Sequence, residues 1–189
     1  MRFHHLLTVP NLISLFRLLI VPVLLLFAAR HQTTLFLTGL ALAFFTDVLD
    51  GFLARVLNQI TPLGSRLDSW GDFFIYSTMA IGAWLQWPDT VRQYWLESTL
   101  IVTSFVLPTI VAALKFKSIV SYHTWSVKVA VGMTMLGYFT LFAASLGWPF
   151  QIAAALCCFA AAEEIAITTV LKRHHSDIRS LRQAITLKQ

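Results

Sequence analysis

Charge is scarce in this chain. Only 12% of its 189 residues are Asp, Glu, Lys or Arg, while 57% are hydrophobic. A soluble domain carries about twice that charge. With a mean hydropathy of +0.71, a water-soluble fold of this length could not bury its apolar surface, which excludes a soluble enzyme. Intrinsic disorder is excluded by the same excess. Cysteine is nearly absent: Cys157 and Cys158 are adjacent, and neighbours rarely reach disulfide geometry, so there is no disulfide framework and no CxxC metal site. Acidic residues are also few, nine against fourteen basic ones, giving a net charge of +5. That balance favours an anionic partner. In so apolar a chain, lipid or a phosphorylated substrate suits it better than nucleic acid.

What the chain does have is long apolar runs. About 20 apolar residues cross the roughly 30 Å hydrocarbon layer as a helix. Six runs qualify: Asn11 to Ala29, Thr34 to Leu57, Asp68 to Trp87, Leu96 to Leu114, Thr124 to Leu146, and Phe150 to Leu171. The first lacks a small-residue cleavage site and reads as a retained helix, not a signal peptide. Lipid forces backbone groups to pair internally, and no barrel-strand alternation is present. The expected fold is all-α, a single six-helix membrane domain over residues 1–189. Ten Lys and Arg residues fall on the side shared by both termini, and only Arg30 and Arg92 on the other. Both termini are therefore expected in the cytoplasm. Residues 1–8 read as a short interfacial segment. The basic tail, residues 174–189, is expected to rest on anionic headgroups. Trp84, Trp87, Trp95 and Trp148 fall near span ends, as in an aromatic belt. Pro22 and Pro108 lie within spans and are expected to kink them.

Four of the nine acidic residues lie in the second and third runs: Asp47, Asp50, Asp68 and Asp72. Each costs about 3 kcal/mol at the bilayer centre, so such residues point to function. The spacings 47/50 and 68/72 put each pair on one helix face. If the two spans run antiparallel about a turn at Thr61, Pro62, Leu63 and Gly64, the positions mirror about residue 59. Asp50 then stands level with Asp68, and Asp47 with Asp72, about 10 Å below the cytoplasmic end. Four carboxylates cannot all stay ionised together unless something positive joins them. Hard oxygen ligands select Mg²⁺, Mn²⁺ or Ca²⁺, and four charges suit two such ions. Gly51 and Ala54 would let a bulky ligand approach, or serve close helix packing. Arg55 could fork onto a phosphate or anchor the cytoplasmic side.

Together these residues read Asp47-x2-Asp50-Gly51-x2-Ala54-Arg55-x8-Gly64-x3-Asp68-x3-Asp72. This resembles the signature of the CDP-alcohol phosphotransferase family, DxxDGxxAR-x8-GxxxDxxxD, at every fixed position. The start, Pro10 to Arg17, resembles more weakly the opening of phosphatidylglycerophosphate synthases and cardiolipin synthases. The resemblance implies an integral membrane homodimer that moves a phosphatidyl group from CDP-diacylglycerol to a polar alcohol and releases CMP. Asp47, Asp50, Asp68 and Asp72 would hold two Mg²⁺ ions, with Mn²⁺ as a substitute, and Asp72 would be the general base. Gly51, Ala54, Arg55 and Gly64 would form the nucleotide and diphosphate pocket. Glycerol 3-phosphate is the first-choice acceptor. Phosphatidylglycerol, inositol phosphate and serine are alternatives. A bacterial inner membrane is the expected location, with the site facing the cytoplasm.

Other residues are weighed on chemistry alone. Arg17, inside the first run, needs a partner; the acidic cluster and the substrate diphosphate are candidates, and snorkelling is the alternative. Asn11 could bond the nucleotide or cap the first helix. Lys117 and Lys128 could hold an acceptor phosphate or merely flank a span. Glu163 and Glu164 are assigned no catalytic role, although one could pair with Lys128 or Arg17. The rival function is a divalent cation carrier, since intramembrane carboxylates also line ion paths. The acids belong to one hairpin near one surface, and no inverted repeat is visible; both favour the enzyme.

Overall fold

A computed structural model describes residues 9–57, 62–117, 124–171 and 180–188. They form eight helices, with no strand among the described residues: α1 Val9–Ala29, α2 Thr33–Val56, α3 Pro62–Gln86, α4 Pro88–Gln93, α5 Trp95–Phe116, α6 Trp125–Ala144, α7 Trp148–Val170 and α8 Leu181–Lys188. The all-α expectation holds. Residues 1–8 and the part of the tail from 174 to 179 lie outside the described residues.

Among the described residues, five helices are long and apolar enough to cross a membrane: α1, α2, α5, α6 and α7. The third expected span, α3, is 25 residues long, but its first half contains Arg66, Asp68 and Asp72. Large apolar side chains point outward on these helices, including Leu19, Phe45, Val48, Phe73, Leu114 and Phe159. Such surfaces are stable only against hydrocarbon or another apolar partner, as befits an integral membrane protein. Pro22 and Pro108 lie inside unbroken helices, α1 and α5.

The described residues cluster into two compact units, 1–91 and 92–189. In the first unit α1 packs along both α2 and α3, which touch each other far less. The sequence reading faced α2 directly with α3, and this is corrected: α1 mediates between them. Its buried face runs Asn11, Ser14, Arg17, Leu24 and Ala28, a helical stripe that is polar in its first half and apolar in its second. The apolar half meets Gly39 on α2, where a Cβ would stand 2.5 Å from Leu24 Cδ2. Phe36 and Trp87 pack near that end with ring centroids 6.4 Å apart, and Thr33 Oγ1 donates to Gln86 Oε1 at 2.7 Å. The expected turn is helical from Pro62 onward, so Pro62, Leu63 and Gly64 belong to α3; proline is well suited to the first helical position, where its missing N–H costs nothing.

In the second unit α7 packs against α5, α6 and α8. A face of small residues, Ala153, Ala154, Cys157, Ala160 and Ala161, is buried, which allows close helix approach. Both cysteines are free, as expected. Within the tail, α8 packs against α7. Its Leu181 and Ala184 join Ala112, Phe116, Ile167 and Leu171 in one apolar cluster. Two polar devices hold this end together. Lys115 Nζ donates to the terminal α7 carbonyls of Thr168 and Thr169 at 2.8 and 2.9 Å, satisfying acceptors that a helix end leaves open. Ser180 Oγ accepts from the Gln183 N–H at 3.4 Å, while Glu163 Oε1 accepts from the Leu181 N–H at 3.1 Å.

Candidate functional site

The first unit carries a cluster of buried and half-buried polar side chains at one end. α1 and α3 contribute from their first halves and α2 from its second half. From α1, Asn11, Ser14 and Arg17 recur every three residues and are 3%, 3% and 1% exposed. Spacing by three keeps them on one face. From α2, Asp50 is buried, 5% exposed, and accepts a hydrogen bond from Ser14 Oγ at 2.8 Å. Asp47, one turn earlier, is ion-paired with Arg17 Nη1. From α3, the carboxylate of Asp72 lies 3.7 Å from that same Nη1. One guanidinium nitrogen thus ties Asp47 to Asp72, the two positions expected to stand level.

The backbone of α3 makes room for this cation. A Cβ at Gly71 would lie 2.6 Å from Arg17 Nε and 2.7 Å from Nη2. A side chain at this position would have to displace the guanidinium, so glycine lets Arg17 lie against α3. Arg17 is therefore built into the unit, and snorkelling does not describe it. The partner sought for Arg17 is the acidic cluster.

The donor chemistry fits a hard divalent cation: Asp47, Asp50 and Asp72 offer only carboxylate oxygens. Their three negative charges exceed the single charge of Arg17. Among the described residues, however, no three His, Cys, Asp or Glu side chains gather closely enough to hold an ion. The Arg17 guanidinium is what joins Asp47 and Asp72. The side chains of Ala54, Arg55 and Asp68 lie outside the described residues. Gly51 and Gly64 are both half-buried helical positions, on α2 and α3.

Lys117 and Lys128 belong to the second unit. Lys117 ends α5 in a left-handed conformation, φ 51°. Lys128 Nζ sits 4.9 Å from the centroid of the Trp125 ring, a cation–π contact. Glu163 accepts from Ser126 Oγ and from the Leu181 N–H, so it helps to hold α8. Ser14 is the residue that sequence reasoning missed. Its signal was present in the spacing Asn11, Ser14, Arg17.

A family model described as CDP-alcohol phosphatidyltransferase matches residues 7–167. A CDP-diacylglycerol–glycerol-3-phosphate 3-phosphatidyltransferase of Aquifex aeolicus is 45% identical over 67 residues, 34% of this chain and 36% of the relative. A cardiolipin synthase (CMP-forming) of Streptomyces coelicolor is 34% identical over 116 residues, 58% of this chain and 52% of the relative. A second glycerol-3-phosphate enzyme, from Pseudomonas fluorescens, is 42% identical over 67 residues, 34% of each chain. The chain thus spans from about a third to about half the length of these curated relatives. No solved structure matches the chain.

Proposed function

Because the chain belongs to the CDP-alcohol phosphatidyltransferase family, we propose that it transfers a phosphatidyl group from CDP-diacylglycerol to a polar alcohol and releases CMP. The observation that carries this reading is the joining of Asp47 and Asp72 through Arg17, with Asp50 held by Ser14 beside them. These are motif carboxylates on different helices, placed together inside a membrane protein. Carboxylates are too costly there to be retained for packing alone.

In the proposed reaction the acceptor hydroxyl oxygen attacks the phosphorus that bears diacylglycerol. The bond from that phosphorus to the CMP oxygen breaks, and CMP leaves with the electron pair. Asp72 takes the hydroxyl proton; a base within hydrogen-bond reach raises nucleophilicity as the new bond forms. Asp47, Asp50, Asp68 and Asp72 would hold two Mg²⁺ ions, which supply charge neutralisation for the diphosphate and for departing CMP. Gly51, Ala54, Arg55 and Gly64 line the nucleotide side, and Asn11 and Arg17 face it from α1. Lys117 and Lys128 are assigned to an acceptor phosphate.

Glycerol 3-phosphate is the proposed acceptor, supported by the Pro10 to Arg17 segment and by the glycerol-3-phosphate transferases among the relatives. Phosphatidylglycerol is the alternative, since the Streptomyces coelicolor relative is a cardiolipin synthase. The proposed setting is a homodimer in a bacterial inner membrane, with six spans, both termini cytoplasmic and the site just below the cytoplasmic surface. There the donor's cytidine headgroup lies on the water side while its acyl chains stay in the bilayer.

The test is CMP release from CDP-diacylglycerol in detergent with Mg²⁺. Glycerol 3-phosphate, phosphatidylglycerol, inositol phosphate and serine are supplied one at a time. Release with glycerol 3-phosphate, lost in EDTA, is the expected result. Release with another acceptor alone reassigns the product. No release with any acceptor, from folded protein, overturns the reading.

A further inference from the structure

Arg17 is 1% exposed. Its Nη1 is ion-paired with Asp47 and lies 3.7 Å from Asp72. Its Nε and Nη2 lie against the α3 backbone at Gly71, where no side chain larger than hydrogen fits without displacing them. A buried guanidinium held on several sides is a fixed charge, not a mobile surface cation. It therefore acts on whatever else the carboxylates bind.

Resting on the metal-dependent reading above, we propose that Arg17 is an internal counter-ion that sets the affinity of the acidic cluster for divalent cations. It does so in two ways. It engages Asp47, so a cation seeking that carboxylate must compete with an existing ion pair. It also lowers the net negative charge that attracts a cation to Asp47, Asp50 and Asp72. Even in a medium as polar as water, opposing or like charges about 4 Å apart interact appreciably, and a divalent ion doubles the effect. The same charge balance keeps the cluster foldable: three carboxylates with no cation would repel one another in a low dielectric. Arg17 thus trades binding strength for a cluster that is stable on its own. Weaker metal binding at rest leaves room for an anionic diphosphate to tighten it, since each ligand of such a pair strengthens the other by the same factor.

The experiment uses the full chain in detergent. Free Mn²⁺ is followed by electron paramagnetic resonance while wild type, Arg17→Gln and Arg17→Lys are titrated. Thermal unfolding of each is measured in EDTA and in saturating Mn²⁺. Arg17→Gln should bind Mn²⁺ about tenfold more tightly than wild type, a conservative factor for removing one unit charge this close to a divalent ion. Arg17→Lys, which keeps a point charge, should stay nearer wild type. In EDTA, Arg17→Gln should unfold at a lower temperature than wild type, and Mn²⁺ should close that gap. If Arg17→Gln folds only in Mn²⁺, that rescue supports the proposal. Equal or weaker Mn²⁺ binding by Arg17→Gln overturns it, as does a stability deficit that Mn²⁺ leaves unchanged. Wild type that binds no Mn²⁺ overturns the metal-dependent reading itself, and is distinguished by the wild-type titration alone.

Discussion

Replacing Gly71 with alanine should loosen Arg17 without changing any charge. The added Cβ would stand 2.6 Å from Nε, 2.7 Å from Nη2 and 2.9 Å from Cζ of Arg17. Carbon and nitrogen atoms do not pack that closely, so either the guanidinium or α3 must shift. α3 is held along its length by α1, and the guanidinium is the softer element. Moving it weakens its ion pair with Asp47 and its approach to Asp72. The pair is partly open, with Asp47 33% and Asp72 46% exposed, and a guanidinium at the end of a flexible chain can shift without leaving it, so the weakening falls between the surface and buried limits, about 1–3 kcal/mol. Against this, alanine is a better helix former than glycine by about 1 kcal/mol. The net expectation is a loss of up to about 2 kcal/mol. Unfolding of the detergent-solubilised protein by SDS, followed by circular dichroism, measures it. The control is the same substitution in an Arg17→Met background, where a flexible apolar chain can move aside. There Gly71→Ala should be neutral or stabilising by up to about 1 kcal/mol. An equal loss in both backgrounds would refute the reasoning, because the clash would then lie with something other than the guanidinium. No loss in either would show that the slot is not tight.

Three further outcomes follow from the geometry. Asp72→Asn should lower turnover by about 10²–10⁴-fold, the usual contribution of a positioned base, while CDP-diacylglycerol binding stays near wild type; a kcat comparison beside a binding isotherm reads the difference. Ser14→Ala removes the hydroxyl that donates to buried Asp50 and should cost about 1–3 kcal/mol of stability, measurable by the same SDS titration; a neutral result would mean that Asp50 is satisfied without it. Glu163→Gln weakens the acceptor that holds the Leu181 N–H, so amide exchange across residues 181–188 should quicken while exchange in α1 stays unchanged.

The site was partly legible in the sequence because membrane insertion makes each intramembrane acid conspicuous. The antiparallel mirror about residue 59 placed Asp47 level with Asp72, and Arg17 does reach both. What the pattern did not contain was the third helix. Hydropathy marks α1 as an apolar run, and a run has no direction until its neighbours are known. Only the period-three spacing of Asn11, Ser14 and Arg17 pointed inward, and Ser14, small and uncharged, carried too little cost to draw notice. The start of α3 was hidden for a different reason: Thr61, Pro62, Leu63 and Gly64 have turn composition, yet proline and glycine in a first turn leave a helix intact. α8 is eight residues long and polar on average, so its docking depends on two apolar residues and on a carboxylate eighteen positions earlier. No local window can see that.

The place of α1 between α2 and α3 also bears on biosynthesis. Chains emerge from the ribosome amino end first, so α1 is in the bilayer before α2 is complete. When Asp47 arrives, the arginine that neutralises it is already there; when Asp72 follows, it meets a pair instead of a bare acid. Each acidic helix would carry the cost of its carboxylates uncompensated if it inserted alone. The order of the helices along the chain gives each a waiting partner, so the order of synthesis is itself a part of the folding pathway. A version of the gene permuted to place α1 last would encode every contact described above and would still have to insert its acids unescorted.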